Sequence, residues 1–302
     1  MTSQVSSRPW LAFGYPVGYG VGGLTILGLL AVLYSEVLMA LVRDWYDNPD
    51  YSHGFLVPLM SGYFVWERRH KLRNLPIRPN WWGGLLLACA LGLFLLGTIG
   101  AELYTQRISL ILVIAGLVLL LCGAQWLRQL MLPIGFLVFM VPLPAIVVNT
   151  IAFPLQIFAA QTAAFCLFNL GIPVLREGNL ITLAGSTLEV AEACSGLRSL
   201  LALLTLGTVY GYFSQRVLWK RWLLLLLSIP IAIVANALRV TGTGILANTW
   251  GTEVAEGFYH TFEGWIVFVV AFVLLLGCGT ILSRIGREVS MAERAPSCDG
   301  FR

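Results

Sequence analysis

The sequence predicts an all-α polytopic membrane protein of about eight transmembrane helices, with a small extracytoplasmic extended hairpin before its most polar motif. Three observations predict it. Of 302 residues, 58% are hydrophobic and 11% charged, whereas an ordinary soluble domain carries about 25% charged residues. The apolar residues fall in stretches near the ~20 residues needed to cross a bilayer, with short charged connectors between them. Between Ile172 and Val190 the pattern changes. Apolar and polar residues there roughly alternate, with Gly178-Asn179 and Gly185-Ser186 as turn signals, which is the period of extended chain.

The first span is the Gly-rich run from Val17 to about Leu41, which carries Glu36 and reads as a retained helix because it outruns a signal-peptide core. An acidic, aromatic connector, Arg43 to Asp50, leads into Tyr51-Ser-His-Gly54, and the second span continues to Trp66. His53 is therefore expected at the membrane's edge. The basic block Glu67 to Arg73 ends that span. The third span runs from Trp82 to Gly100, the next connector carries Glu102 and Arg107, and the fourth span covers Ile108 to Cys122. The fifth, Met131 to Val148, is interrupted by Pro133, Pro142 and Pro144, which remove backbone donors and invite kinks. Asn149 to Leu170 is more mixed and is expected to be an interfacial or re-entrant helix.

The hairpin then delivers the chain to Glu192-Ala-Cys-Ser-Gly-Leu-Arg-Ser199, a polar island that opens the sixth span, Leu197 to Phe213. The seventh span, Trp222 to about Leu246, carries Asn236 and Arg239 within its apolar run. The eighth extends from Glu263 to Leu282, and residues 283–302 form a short cytoplasmic tail. The chain, 1–302, reads as one integral membrane domain.

Placing the amino terminus inside puts 14 of the 19 basic residues on inner segments. This positive-inside bias fixes both termini in the cytoplasm. Cys194, Arg239, His260 and His53 then all lie toward the outer face. The net charge of +4 belongs to this orientation signal, so no nucleic-acid partner is expected. Six cysteines without a C-x-x-C pair suggest neither a disulfide framework nor a zinc cluster. No phosphate loop or dinucleotide fingerprint is present. No cofactor is expected.

Cys194 begins a helix, where free backbone N–H groups and the macrodipole favour a thiolate. Arg198, one turn on, supplies positive charge nearby, and Glu192 and Ser195 complete the polar setting. Against that stands the ordinary use of cysteine as a small buried residue. Arg239 lies in the outer third of its span, where a guanidinium costs a few kcal/mol and normally faces the bundle interior. Two roles are open to it: a structural pairing with Glu36 or Glu192, or stabilisation of an acyl-transfer oxyanion, with Asn236 sharing its face. His260, in Phe258-Tyr-His-Thr-Phe-Glu-Gly264, is a candidate base for the thiol, with His53 competing from the same side. His53 also fits a structural or substrate-positioning role. A zinc site made of Cys194, His260 and Glu192 lacks ligand spacing.

These residues carry a resemblance. Glu192-Ala-Cys-Ser-Gly-Leu-Arg198, Asn236-Ala-Leu-Arg239 and Tyr259-His-Thr-Phe-Glu-Gly264, in that order, resemble the exosortase/archaeosortase family of membrane-embedded cysteine transpeptidases. Ser52-His-Gly-Phe-Leu-Val-Pro58 is similar to its bacterial branch. The resemblance implies Cys194 as nucleophile, Arg239 as the essential arginine and His260 as the third catalytic residue. It implies, as substrates, exported proteins ending in a Pro-Glu-Pro-like motif, a membrane helix and a basic tail. Membrane lipid and an unknown acceptor nucleophile are the other partners, and a bacterial inner membrane is the implied location. The alternative is a polytopic transporter or flippase-like protein in which Arg239 and the outer acids bind an envelope polymer. A non-catalytic scaffold is the third class.

Overall fold

The computed structural model describes residues 25–26, 28–184, 186–190, 196–251 and 258–285. They fall into two compact units divided between Val141 and Pro142.

The first unit is wholly helical among the described residues. It comprises α1 (Ser35–Asp47), a 3-10 helix (Pro49–Phe55), α2 (Leu56–Glu67), α3 (Arg69–Arg73), α4 (Trp82–Ile99), α5 (Leu103–Leu121), α6 (Ala124–Phe136) and a second 3-10 helix (Leu137–Met140). Helical residues 28–33 precede α1, and backbone bonds from Tyr34 to Leu30 and from Leu38 to Tyr34 carry the ladder across. The expected first span starts outside the described residues. α4 and α5 pair closely because Gly83 offers no side chain: a Cβ there would lie 2.2 Å from the Leu120 nitrogen.

Arg107 is not in a connector, as expected, but one turn inside α5. The reason is Glu102, whose carboxylate caps the helix by accepting from Tyr104 N and Thr105 N at 3.1 and 2.6 Å. Arg107 is only 3% exposed, and its Nη2 lies 2.6 Å from Asp44 Oδ2 on α1. A hydrogen bond from the Thr105 side chain, helped by those from the Thr105 and Tyr104 backbones, holds the Glu102 carboxyl below its ordinary pKa.

α2 and α6 run antiparallel. Pro133 has no N–H, so the Gln129 carbonyl loses its helical donor. The Arg68 guanidinium donates to that carbonyl instead. Ser61 Oγ donates to the Pro133 carbonyl at 2.8 Å, and at the far end Trp45 Nε1 donates to the Met140 carbonyl at 2.8 Å. A proline break is thus stabilised by side chains of the neighbouring segments.

The second unit begins with α7 (Ala145–Asn169), then strands β1 (Val174–Glu177), β2 (Leu180–Leu183) and β3 (Ser186–Glu189), then α8 (Leu197–Ser214), α9 (Leu218–Trp250) and α10 (Phe258–Arg284). α7 corrects two expectations. Neither a fifth span over Met131 to Val148 nor a separate interfacial helix after it forms. Pro142 and Pro144 end the preceding helix, and a single 25-residue helix of mean hydropathy 1.7 follows, long and apolar enough to cross a membrane. Pro154 is accommodated within it, and its most polar inward residue, Gln156, is buried.

α4, α5, α7, α9 and the Trp265–Arg284 part of α10 are the five described helices of spanning length and hydropathy. A shorter apolar stretch covers Ala124–Met140. The architecture is an all-α polytopic membrane protein with one small sheet.

That sheet is larger than the expected hairpin. Its three strands are antiparallel in the order β1-β2-β3, with Glu177 opposite Leu180 and Leu183 opposite Ser186. Alternation drives it: Ile181, Leu183 and Leu188 are buried, while Thr182, Thr187 and Glu189 are exposed. The inward residues pack with Ala159, Ala160, Ala163 and Leu167 of α7 and with Val240 and Ala247 of α9.

α9, against which the sheet packs, is longer than a bilayer crossing needs. Its 33 residues give a rod of about 50 Å, some 20 Å longer than the ~30 Å hydrocarbon core. From Arg221 the helix runs about 39 Å to Ala247, more than the thickness of a hydrocarbon core, while Val240, at about 28 Å, falls within that thickness. α7 runs parallel to it, since Leu167 meets Gly244 just as Ala159 accompanies Ala232 lower down.

Candidate functional site

Three helices of the second unit set the site. α8 and α9 are antiparallel and pack through glycines: a Cβ at Gly207 would lie 2.5 Å from Ser228 Oγ, and one at Gly211 would lie 3.6 Å from the Arg221 Cα. α8 and α10 are parallel. Tyr210 Oη donates to the Leu276 carbonyl at 3.1 Å and Gln215 Nε2 to the Gly279 carbonyl at 2.8 Å, separations of 66 and 64 residues. Leu203, Leu224, Ala232, Ala235, Ala271 and Leu275 fill the space between the three helices.

Gly196 closes this frame at the top of α8. It is the N-cap residue, at φ +78° and ψ 2°, and its carbonyl accepts the first helical bond from Leu200 N at 2.8 Å. That left-handed conformation costs an L-residue about 1–2 kcal/mol. Space is restricted too, because a Cβ there would lie 2.7 Å from Asn236 Cγ and 2.8 Å from Asn236 Cβ. Gly196 therefore enters α8 with its backbone directly against the Asn236 side chain.

Asn236 is 4% exposed on α9, and Arg239, three residues on and half-buried, shares its face. Arg198 is exposed in the first turn of α8. Cys194, Glu192 and Ser195 lie outside the described residues. His260 belongs by its backbone to the opening turn of α10, and its side chain is outside the described set. The α8–α10 offset, carried back from Tyr210 and Gln215, brings Gly196 level with that same turn.

His53 belongs to the first unit. Its Nε2 lies 3.2 Å from the Phe139 carbonyl, and its ring leans on Tyr51 at 6.5 Å between centroids. Burial lowers its pKa, with the hydrogen bonds to the Phe139 and Asp50 backbones opposing the shift.

Two residues escaped the sequence reading. Gly196 was legible only as part of a motif, though a glycine just before an apolar helix signals a left-handed cap. Asn179 read as a mere turn residue. In the structure its carbonyl accepts from Val190 N at 3.0 Å and its Nδ2 donates to the Val190 carbonyl at 3.3 Å. It therefore fixes where the chain leaves β3 on its way to the motif.

A crevice lies beside Gly196 and Asn236, walled by Leu155, Phe158 and Ala159 of α7 and by Leu200, Ala232 and Ile233. The profile described as Transmembrane exosortase (Exosortase_EpsH) matches residues 45–277. No match is found among curated proteins or solved structures.

Proposed function

The chain belongs to the transmembrane exosortase family, and from that membership we propose that it cleaves the carboxy-terminal sorting tail of exported proteins as a cysteine transpeptidase. Family membership supports a membrane-embedded sorting protease or transpeptidase in general. The finer assignments rest on the residues. The observation that carries them is the seating of Gly196, two residues after Cys194, on Asn236, three residues before Arg239, at the level of the turn that holds His260.

In this reading His260 accepts the Cys194 thiol proton. The thiolate sulfur bonds to the scissile carbonyl carbon, and Arg239 stabilises the resulting oxyanion, its guanidinium oriented by Asn236. Collapse breaks the carbon–nitrogen bond, and His260 returns the proton to the leaving amine. A thioester to Cys194 remains. An acceptor amine then attacks it and expels the thiolate; attack by water would make the enzyme a protease. Glu192, Ser195 and Arg198 serve as supporting residues around the sulfur, and His53 as a positioning or structural residue. Tethering of the tail helix in the membrane holds the scissile peptide near the sulfur and raises its effective concentration.

The substrates proposed are exported proteins bearing a Pro-Glu-Pro-like motif, a membrane helix and a basic end. Both termini face the cytoplasm and the site faces the periplasm, as the placement of 14 of the 19 basic residues supports. The test is tail processing of such a substrate. Cys194→Ala, Arg239→Ala and His260→Ala are each expected to abolish it while the protein still accumulates. Normal processing by Cys194→Ala would overturn the reading and favour a transporter or a scaffold.

A further inference from the structure

The crevice beside Asn236 lies deeper along α9 than the arginine. Counted from Arg221 at the charged interface, Ala232 is about 17 Å, Asn236 about 23 Å and Arg239 about 27 Å along the helix. The oxyanion position assigned to Arg239 therefore lies near the far interface. The crevice lies several ångströms back toward the bilayer centre.

A substrate held by a membrane helix has its scissile peptide at the surface and its carboxy-terminal side below. We propose that the crevice is the subsite for the first side chain on that membrane side, and that it selects a small apolar residue. This rests on the catalytic reading above and adds the part of the substrate that the enzyme reads within the bilayer.

The lining supports small and apolar. Ala159 and Ala232, 2% and 1% exposed, let α7 and α9 approach closely, and Gly196 contributes no side chain. Leu155, Leu200 and Ile233 narrow the walls, and Phe158 stands at the lip. Phe158 is 50% exposed, so its ring stands between the crevice and the surface of the helix bundle and limits what can enter. Asn236 is the polar member of the lining, set where the peptide backbone would pass toward the reacting centre.

The experiment measures processing of one tail-bearing substrate with Ala, Val, Leu or Phe at the residue that directly follows its scissile bond. The wild type should favour Ala over Leu by at least about tenfold in kcat/KM, the scale on which hydrophobic pockets discriminate by size. Phe158→Ala should shrink the Ala-to-Leu ratio severalfold, a quantity independent of how much enzyme folds. Equal processing of the whole series by the wild type, or an unchanged ratio in Phe158→Ala, overturns the subsite and leaves the catalytic reading standing. Failure of the wild type to process any member overturns the catalytic reading itself.

Discussion

Gly196 joins two demands that no other residue meets together. The backbone must turn left-handed to start α8, and it must do so in contact with Asn236. Gly196→Ala adds a strained φ worth about 1–2 kcal/mol and pushes on a buried amide. The expected outcome is a modest fall in melting temperature in detergent and a far larger loss of processing, near 100-fold, because an ångström of displacement at a reacting centre costs that much. A loss of activity no larger than the loss of folded protein would reduce Gly196 to a structural cap. At this scale the sequence made the motif legible, since cysteine, arginine and histidine stand out from an apolar background. It could not reveal that the glycine is the contact residue. Nor could it place Arg107, because recognising Glu102 as a cap requires seeing its carboxylate turned onto Tyr104 N and Thr105 N.

Among the elements, long apolar runs were the most legible. Trp82–Ile99 and the core of α9 follow directly from composition, since a bilayer demands about 20 apolar residues in helical form. α7 was misread for a physical reason. Pro142, Pro144 and Pro154 all argue for interruption, yet only the first two end a helix; Pro154 lies ten residues into one and is absorbed. The sheet was underestimated because a two-stranded reading satisfies the alternation equally well, and only packing against α7 and α9 organises three strands. The length of α9, with Lys220 and Arg221 at one end and the sheet packed near the other, makes sidedness testable. A cysteine at exposed Thr187 of β3 should be labelled by an impermeant maleimide from the periplasmic side, and one at Trp219, 55% exposed at the start of α9, only after permeabilisation. Labelling of both from one side would contradict the orientation.

At the scale of the molecule, the family match from residue 45 to 277 covers parts of both compact units. The first unit contributes a scaffold in which buried Arg107 pairs with Asp44 and backbone carbonyls freed near Pro133 and Met140 are bound by side chains. The second unit carries Arg239, His260 and the chain that follows Cys194. Fold class was readable from composition alone. The register of the helices that carry Arg239 and His260 was not, since the spacing of 45 and 21 residues among Cys194, Arg239 and His260 says nothing of it. The most direct test is to capture the covalent intermediate. Enzyme mixed with a tail-bearing substrate and quenched in acid should yield, by mass spectrometry, the substrate's amino-terminal fragment on Cys194, released as a hydroxamate by hydroxylamine. Turnover of that substrate with no fragment ever found on Cys194, and with Cys194→Ala equally active, would contradict thiol catalysis at this site.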